Sequence, residues 1–73
     1  MRTWYFTFCT DHPTHGGCCQ PIKAESWGAA RAKMCDMYGT RWCFQYSEEE
    51  WESYRNDPNR YWQMERELPV VEV

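Results

Sequence analysis

Aromatic and polar side chains alternate at the start of the chain. Residues 4–8 read Trp-Tyr-Phe-Thr-Phe, and aromatic and β-branched residues with a period of two are typical of a β-strand. Residues 9–19 hold one Pro and two Gly among polar residues, which predicts a loop. A short second strand is expected over residues 20–24, where Pro21 would restrict it to a sheet edge or a strand start.

Helical spacing of apolar residues follows after this strand. It predicts a helix from Trp27 to about Tyr38, with Ser26 as its N-cap. Gly39 stands where a left-handed C-terminal cap is expected. Alternation of aromatic and polar residues then returns over residues 41–46 and predicts a third strand.

The second half of the chain carries further helix signals. Ser47 and Glu50 have the spacing of a capping box, which predicts a helix that ends near Asn56. Asp57 followed by proline predicts another helical stretch that reaches Leu68 and stops at the next proline. Residues 70–73 are expected to form either a short edge strand or a frayed tail.

These elements predict an α+β fold with the order β-β-α-β-α(-α). We expect a small three- or four-stranded antiparallel or mixed sheet with the helices packed on one face. The 73 residues correspond to a single domain, 1–73, because domains are rarely shorter. Five Trp, five Tyr and three Phe are many rings for a chain whose core is necessarily small.

The charge pattern narrows the classes of partner. The net charge is −3 and Lys and Arg form no run, which argues against direct binding of nucleic acid. No apolar stretch approaches the roughly 20 residues of a membrane span, and no export signal is evident. We therefore expect a cytosolic protein whose five cysteines are thiols or metal ligands rather than disulfides.

A cysteine- and histidine-rich loop is the first candidate site. Cys9, His12, His15 and Cys18 follow a C-x2-H-x2-H-x2-C spacing, and two cysteines with two histidines are a common zinc ligand set. The alternative is an exposed loop with reduced thiols, since structural zinc sites usually split their ligands into separated pairs. The same Cys and His types could form a nucleophile pair, but so small a domain offers little room for a substrate pocket. We expect a protein that is not an enzyme and has no cofactor; the alternative is a small zinc-binding domain that uses this loop.

An acidic and aromatic segment over residues 47–62 is the second candidate site. Its glutamates favour a helix N-terminus, and Trp51 suits the core. The chain nevertheless holds more rings than one small core can hide, and exposed Trp, Tyr and Arg are typical of protein-binding surfaces. The expected partner-binding residues are Glu48, Glu49, Trp51, Glu52, Arg55, Arg60 and Trp62, with His12 and His15 of the loop as a second patch.

Three short motifs resemble those of a known family. They are the strand at residues 4–8 with His12 in the loop after it, the Ala29-Ala30-Arg31-x-x-Met34 helix and the Tyr38-Gly39-x-x-Trp42-x-Phe44-Gln45-Tyr46-Ser47-Glu48-Glu49 segment. Together they resemble a family of small proteins encoded by bacteriophages and integrated mobile elements, over about residues 4–50. Cys9 departs from the glycine usual there. By analogy with other proteins from such elements, the resemblance implies a monomer or homodimer that inhibits a host or defence protein, such as a CRISPR effector nuclease, by surface occupation.

Overall fold

A mixed sheet with two helices forms the described part of the chain. The computed structural model describes residues 1–8, 13–56 and 66–73, with Arg55 described for its backbone alone. The elements are β1 (Arg2–Thr7), β2 (Cys18–Ala24), α1 (Trp27–Tyr38), β3 (Phe44–Tyr46), α2 (Glu48–Arg55), β4 (Arg66–Glu67) and β5 (Val71–Glu72). The sheet order is β3-β1-β2-β4, β5 also pairs with β2, and of these strands only β4 and β5 run parallel to β2. The α+β prediction is confirmed.

Both helices begin where their capping residues predict. Ser26 accepts a hydrogen bond from the Ala29 amide at 3.1 Å, and α1 ends at Gly39 with a φ of 66°, a conformation that glycine adopts without a Cβ penalty. Ser47 and Glu50 form the reciprocal capping box, with bonds of 2.9 and 3.2 Å. The predicted bounds of both helices are therefore confirmed.

The two helices cover opposite faces of the sheet, so the prediction of helices on one face is wrong. Trp4 and Phe6 of β1 point into the core beneath α1. Tyr5, between them, points to the other side and stacks on Trp51 of α2, with ring centroids 5.0 Å apart. Because β1 carries rings at both its even-numbered and its odd-numbered positions, each face of the sheet is apolar and must be covered by another element.

Pro21 lies in an interior strand, contrary to the expected edge or strand start. β2 begins two residues earlier than predicted and pairs with β1 on one side and with β4 and β5 on the other. β4 pairs at residues 18–19 and β5 at 22–23, so the proline falls in the gap between them and no ladder bond needs its missing N–H. The Gln20 side chain fills this gap and donates to the carbonyl oxygens of Pro21 at 2.9 Å and Pro69 at 2.7 Å.

The C-terminal residues are extended rather than helical. The predicted helix from Asp57 lies outside the described residues up to position 65, but its last part is wrong, because Arg66–Glu67 is a strand and the Leu68 amide donates to the Cys19 carbonyl at 2.8 Å. The edge-strand alternative for residues 70–73 is confirmed by β5.

β3 is shorter than the predicted 41–46. Neither described helix has the length and apolar character that crossing a bilayer requires.

Candidate functional site

A cleft of about 400 Å³ opens between α1 and the segment that leads into β3. One wall is a ridge of α1, where residues spaced four apart share a face. The other wall is the chain from residue 40 to residue 45. The lining residues are Trp27, Arg31 and Cys35 on the helix and Thr40, Trp42, Cys43, Phe44 and Gln45 on the opposite wall.

One large ring at this cleft is uncovered. Trp27 is 45% exposed. The Phe44 ring is also exposed, but it faces the α2 side of the sheet, because Phe44 pairs with Thr7 and its ring lies beside Tyr46. Trp27 makes an edge-to-face contact with the buried Trp4 at 5.8 Å between centroids, so the ring is anchored on one side and open on the other. Exposed apolar groups that cluster in a concavity are typical of binding sites.

Arg31 supplies the charge of the cleft. Its Cζ lies 4.9 Å from the centroid of the Trp42 ring, a cation–π geometry. Trp42 in turn packs edge-on against the buried Phe6 at 5.1 Å. The guanidinium is thus held in place on a supported ring, and over the described ranges no carboxylate pairs with it; the ion pair seen on α1 joins Lys33 to Asp36.

Gln45 lies at the floor of the cleft and is 9% exposed. Its Nε2 donates to the carbonyl oxygen of Trp27 at 3.1 Å. Its Oε1 is buried and accepts no hydrogen bond from the part of the chain that the structure describes. An unsatisfied buried oxygen is unfavourable and calls for an explanation.

No family model matches the chain, and no curated protein or solved structure matches it either. The resemblance to phage-encoded proteins stays a prediction from the sequence motifs.

The cysteines have two different states, which corrects part of the thiol expectation. Cys43, on the wall of the cleft, is disulfide-bonded. Cys18, Cys19 and Cys35 are free, and of these three only Cys35 is exposed. Cys9 lies outside the described residues. The expectation of thiols or metal ligands is therefore wrong for Cys43.

The predicted acidic patch lies on α2, on the other face of the sheet from α1. Glu48 is exposed and accepts a hydrogen bond from the Thr3 amide at 2.6 Å, and Glu50 belongs to the capping box. Glu49 and Glu52 are exposed. Two of these four carboxylates therefore serve the fold, and Glu49 and Glu52 are those left to meet a partner.

Trp51 cannot present its ring to a partner as predicted, because it is only 2% exposed. It lies in a stack between Tyr5 and Tyr54, with centroid distances of 5.0 and 5.9 Å. The ring holds α2 against the sheet. Of the other predicted contact residues, the Arg55 side chain, Arg60, Trp62 and His12 lie outside the described parts of the chain.

The predicted zinc loop is described at two of its four ligands. The His15 ring lies 5.3 Å from Phe8 and 5.5 Å from Tyr38 between centroids. Cys18 is buried, and its amide donates to the His15 carbonyl at 3.0 Å. Cys9 and His12 lie outside the described residues, and within those residues no three ligating side chains come together. The zinc site stays a prediction.

The cleft itself was missed by the sequence reasoning. Its signal was present in the spacing of Trp27, Arg31 and Cys35 at i, i+4 and i+8, a polar and aromatic ridge that runs beside the buried Ala30 and Met34. The second wall could not be inferred in this way. It depends on the packing of residues 40–45 against the helix, which is a tertiary feature.

Proposed function

We propose that this chain is a protein-binding domain that inhibits or modulates a host or defence protein by occupying its surface. The observation that carries the proposal is the uncovered Trp27 ring beside Arg31 at one cleft, where no carboxylate of the described residues pairs with the arginine. Aromatic rings and arginine supply most of the binding energy in protein interfaces. A chain with so small a core leaves them in water at a cost that a partner would remove.

Binding without turnover fits the chemistry of the cleft. Arg31 and the free thiol of Cys35 are the ionisable side chains that the described lining offers. A nucleophilic cysteine needs a base or a cationic neighbour that stabilises its thiolate, together with a group that orients it. Arg31 could provide charge, but no histidine or carboxylate lines this wall to move a proton. The described lining therefore offers groups that can bind a partner but no acid–base pair for catalysis.

The resemblance to phage-encoded proteins supplies the class of partner. We take it to be a component of the host cytosol, with defence proteins such as CRISPR effector nucleases as the first candidates. Glu49 and Glu52 of α2 offer a second, acidic contact surface on the opposite face of the sheet. Such a surface suits a basic groove of the partner and would speed association more than it strengthens binding.

Inhibition of purified CRISPR effector nucleases from matched hosts, with co-elution in size-exclusion chromatography, tests this function. We expect W27A to weaken inhibition by about tenfold or more, since truncation of a central aromatic anchor costs about 2 kcal/mol. V70S is the matched control, because Val70 is 55% exposed and lies next to β5 at the far edge of the sheet. Equal potency of the two variants would exclude the cleft as the binding surface.

A charge-reversal variant separates the two surfaces. E49K/E52K changes only exposed residues of α2, so we expect it to fold normally and to lower the association rate at low salt with little change in the dissociation rate. Loss of binding in this variant, with W27A unaffected, would move the site to α2. Failure to bind any defence protein from a matched host would contradict the proposed function as a whole.

A further inference from the structure

We propose that the cleft receives an extended peptide segment of the partner, which adds a strand to β3 and places an acidic side chain on Arg31. This inference rests on the proposed protein-binding function and specifies what occupies the cleft. Its elements, as far as the described residues go, are an open sheet edge, a groove of suitable length, one cation without a carboxylate partner and one buried acceptor without a donor.

The open edge is that of β3. Among the described strands β3 pairs with β1 alone. The Phe8 amide donates to the Cys18 carbonyl, so even-numbered residues of β1 direct their backbone groups to β2 and odd-numbered ones to β3. Gln45 lies opposite Phe6 and therefore directs its backbone N–H and C=O away from β1. An outward-facing pair of this kind is what an added strand uses.

The groove has the length of a short strand. The ridge from Trp27 to Cys35 spans eight helical steps, or about 12 Å at 1.5 Å per residue. An extended chain rises about 3.3 Å per residue, so about four peptide residues fill the groove. Alternate side chains of such a peptide point into the cleft, where Trp27 offers apolar contact.

The charge of the groove favours an acidic segment. Arg31 is the one charged side chain that the described residues contribute to the lining, apart from any ionised Cys35. Its position over Trp42 fixes the plane of the guanidinium and leaves N–H groups for a carboxylate, which arginine binds in a planar, bidentate way. A basic segment would instead be repelled by the like charge of Arg31.

Gln45 adds a reason for a bound state. Its Oε1 is buried and has no hydrogen-bond donor among the described residues. An incoming strand that places a backbone N–H at this oxygen supplies a donor and leaves the bond from Nε2 to the Trp27 carbonyl intact.

Three blocked hexapeptides test the inference. They are an alternating Glu-Val peptide, its Lys-Val counterpart and the Glu-Val peptide with alternate backbone nitrogens methylated. The readout is the alkylation rate of Cys35, an exposed thiol on the wall of the cleft, with the buried thiols Cys18 and Cys19 as internal controls. We expect saturating Glu-Val peptide to slow Cys35 alkylation and the other two peptides to leave its rate unchanged.

Charge reversal at two positions of α1 sharpens the test. We expect R31E to weaken Glu-Val binding about tenfold or more, given the strength of charge-assisted hydrogen bonds, and to give the Lys-Val peptide the protection that it lacked. K33E is the matched control, because Lys33 is on the same helix but does not line the cleft. Equal loss in both variants would mean that net charge, rather than the groove, governs binding.

The remaining outcomes overturn the inference. Unchanged Cys35 reactivity at millimolar Glu-Val peptide excludes a strand-shaped occupant, and equal protection by the methylated peptide excludes strand addition. Protection that rises with protein concentration without peptide identifies a second copy of this chain as the occupant instead. Inhibition of a nuclease without peptide binding refutes the inference alone, whereas peptide binding without any defence partner refutes the proposed function alone.

Discussion

Gln45 joins the edge strand β3 to the first turn of α1 through a hydrogen bond from its Nε2 to the carbonyl oxygen of Trp27, 3.1 Å long. The same amide leaves its Oε1 buried without a donor from the described residues. One side chain therefore fixes the end of the cleft and also carries an unpaired polar atom. An unpaired buried acceptor of this kind costs about 1–3 kcal/mol.

This arrangement predicts an unusually mild effect of Q45M. Methionine has a similar volume, and loss of one hydrogen bond of about 1 kcal/mol is offset by removal of the unpaired oxygen. We expect the free energy of unfolding to fall by less than about 1 kcal/mol in urea titrations. Q45A, which leaves a cavity as well, should cost more. A loss above about 3 kcal/mol for Q45M would show that Oε1 has a partner.

The exposed Trp27 and the buried Trp51 should contribute different amounts to the free energy of unfolding. W51A removes a ring that is 2% exposed and stacked between two tyrosines, so we expect a loss of about 3–5 kcal/mol in the free energy of unfolding. W27A removes a ring that is 45% exposed, and we expect it to cost less than half as much. Equal losses in parallel urea titrations would contradict the assignment of Trp51 to the core and Trp27 to the cleft.

Features set by neighbouring residues could be predicted from the sequence. The bounds of α1 follow from Ser26 and Gly39, and the start of α2 follows from the capping box at Ser47. The alternation in β1 also predicts its two faces. In each case the signal and the structure lie within a few residues of each other, because caps and strand periodicity act locally.

Features that depend on distant pairing could not be predicted in this way. The sequence predicts Pro21 at a sheet edge or a strand start, because the gap between β4 and β5 that accommodates the proline cannot be seen in the sequence. The strand at Arg66–Glu67 replaces a predicted helix because its backbone groups pair with β2, some 48 residues earlier in the chain. The cleft is of the same kind, since its two walls meet only after the sheet and α1 pack together.

The burial of Tyr38 predicts a specific loss of stability at alkaline pH. Burial raises the pKa of its hydroxyl above the ordinary value of 10.0, and the neutral hydroxyl donates to Oε1 of Gln20 at 2.9 Å. Because the folded pKa exceeds the unfolded one, this stabilisation is complete below about pH 10 and is lost as the pH rises through the folded pKa. We expect Y38F to lose about 1 kcal/mol at neutral pH and to show a shallower decline in alkali. Parallel stability curves for the two proteins would contradict this assignment.

Elemental analysis of protein purified without chelator tests the zinc loop. We expect less than about half an equivalent of zinc, because the His15 ring is packed beside Phe8 and Tyr38. A structural site would instead retain its metal through purification. H15A should then leave the metal content unchanged. A full equivalent that C18S removes would establish the loop as a metal site and make the zinc-binding alternative the better account.

Hydrogen exchange by mass spectrometry, on the chain alone and bound to a nuclease that it inhibits, tests the central claim most directly. The account predicts that new protection concentrates at residues 27–35 and 40–46, the two walls of the cleft and the open edge of β3. Protection confined to α2, with these two segments unchanged, would contradict it.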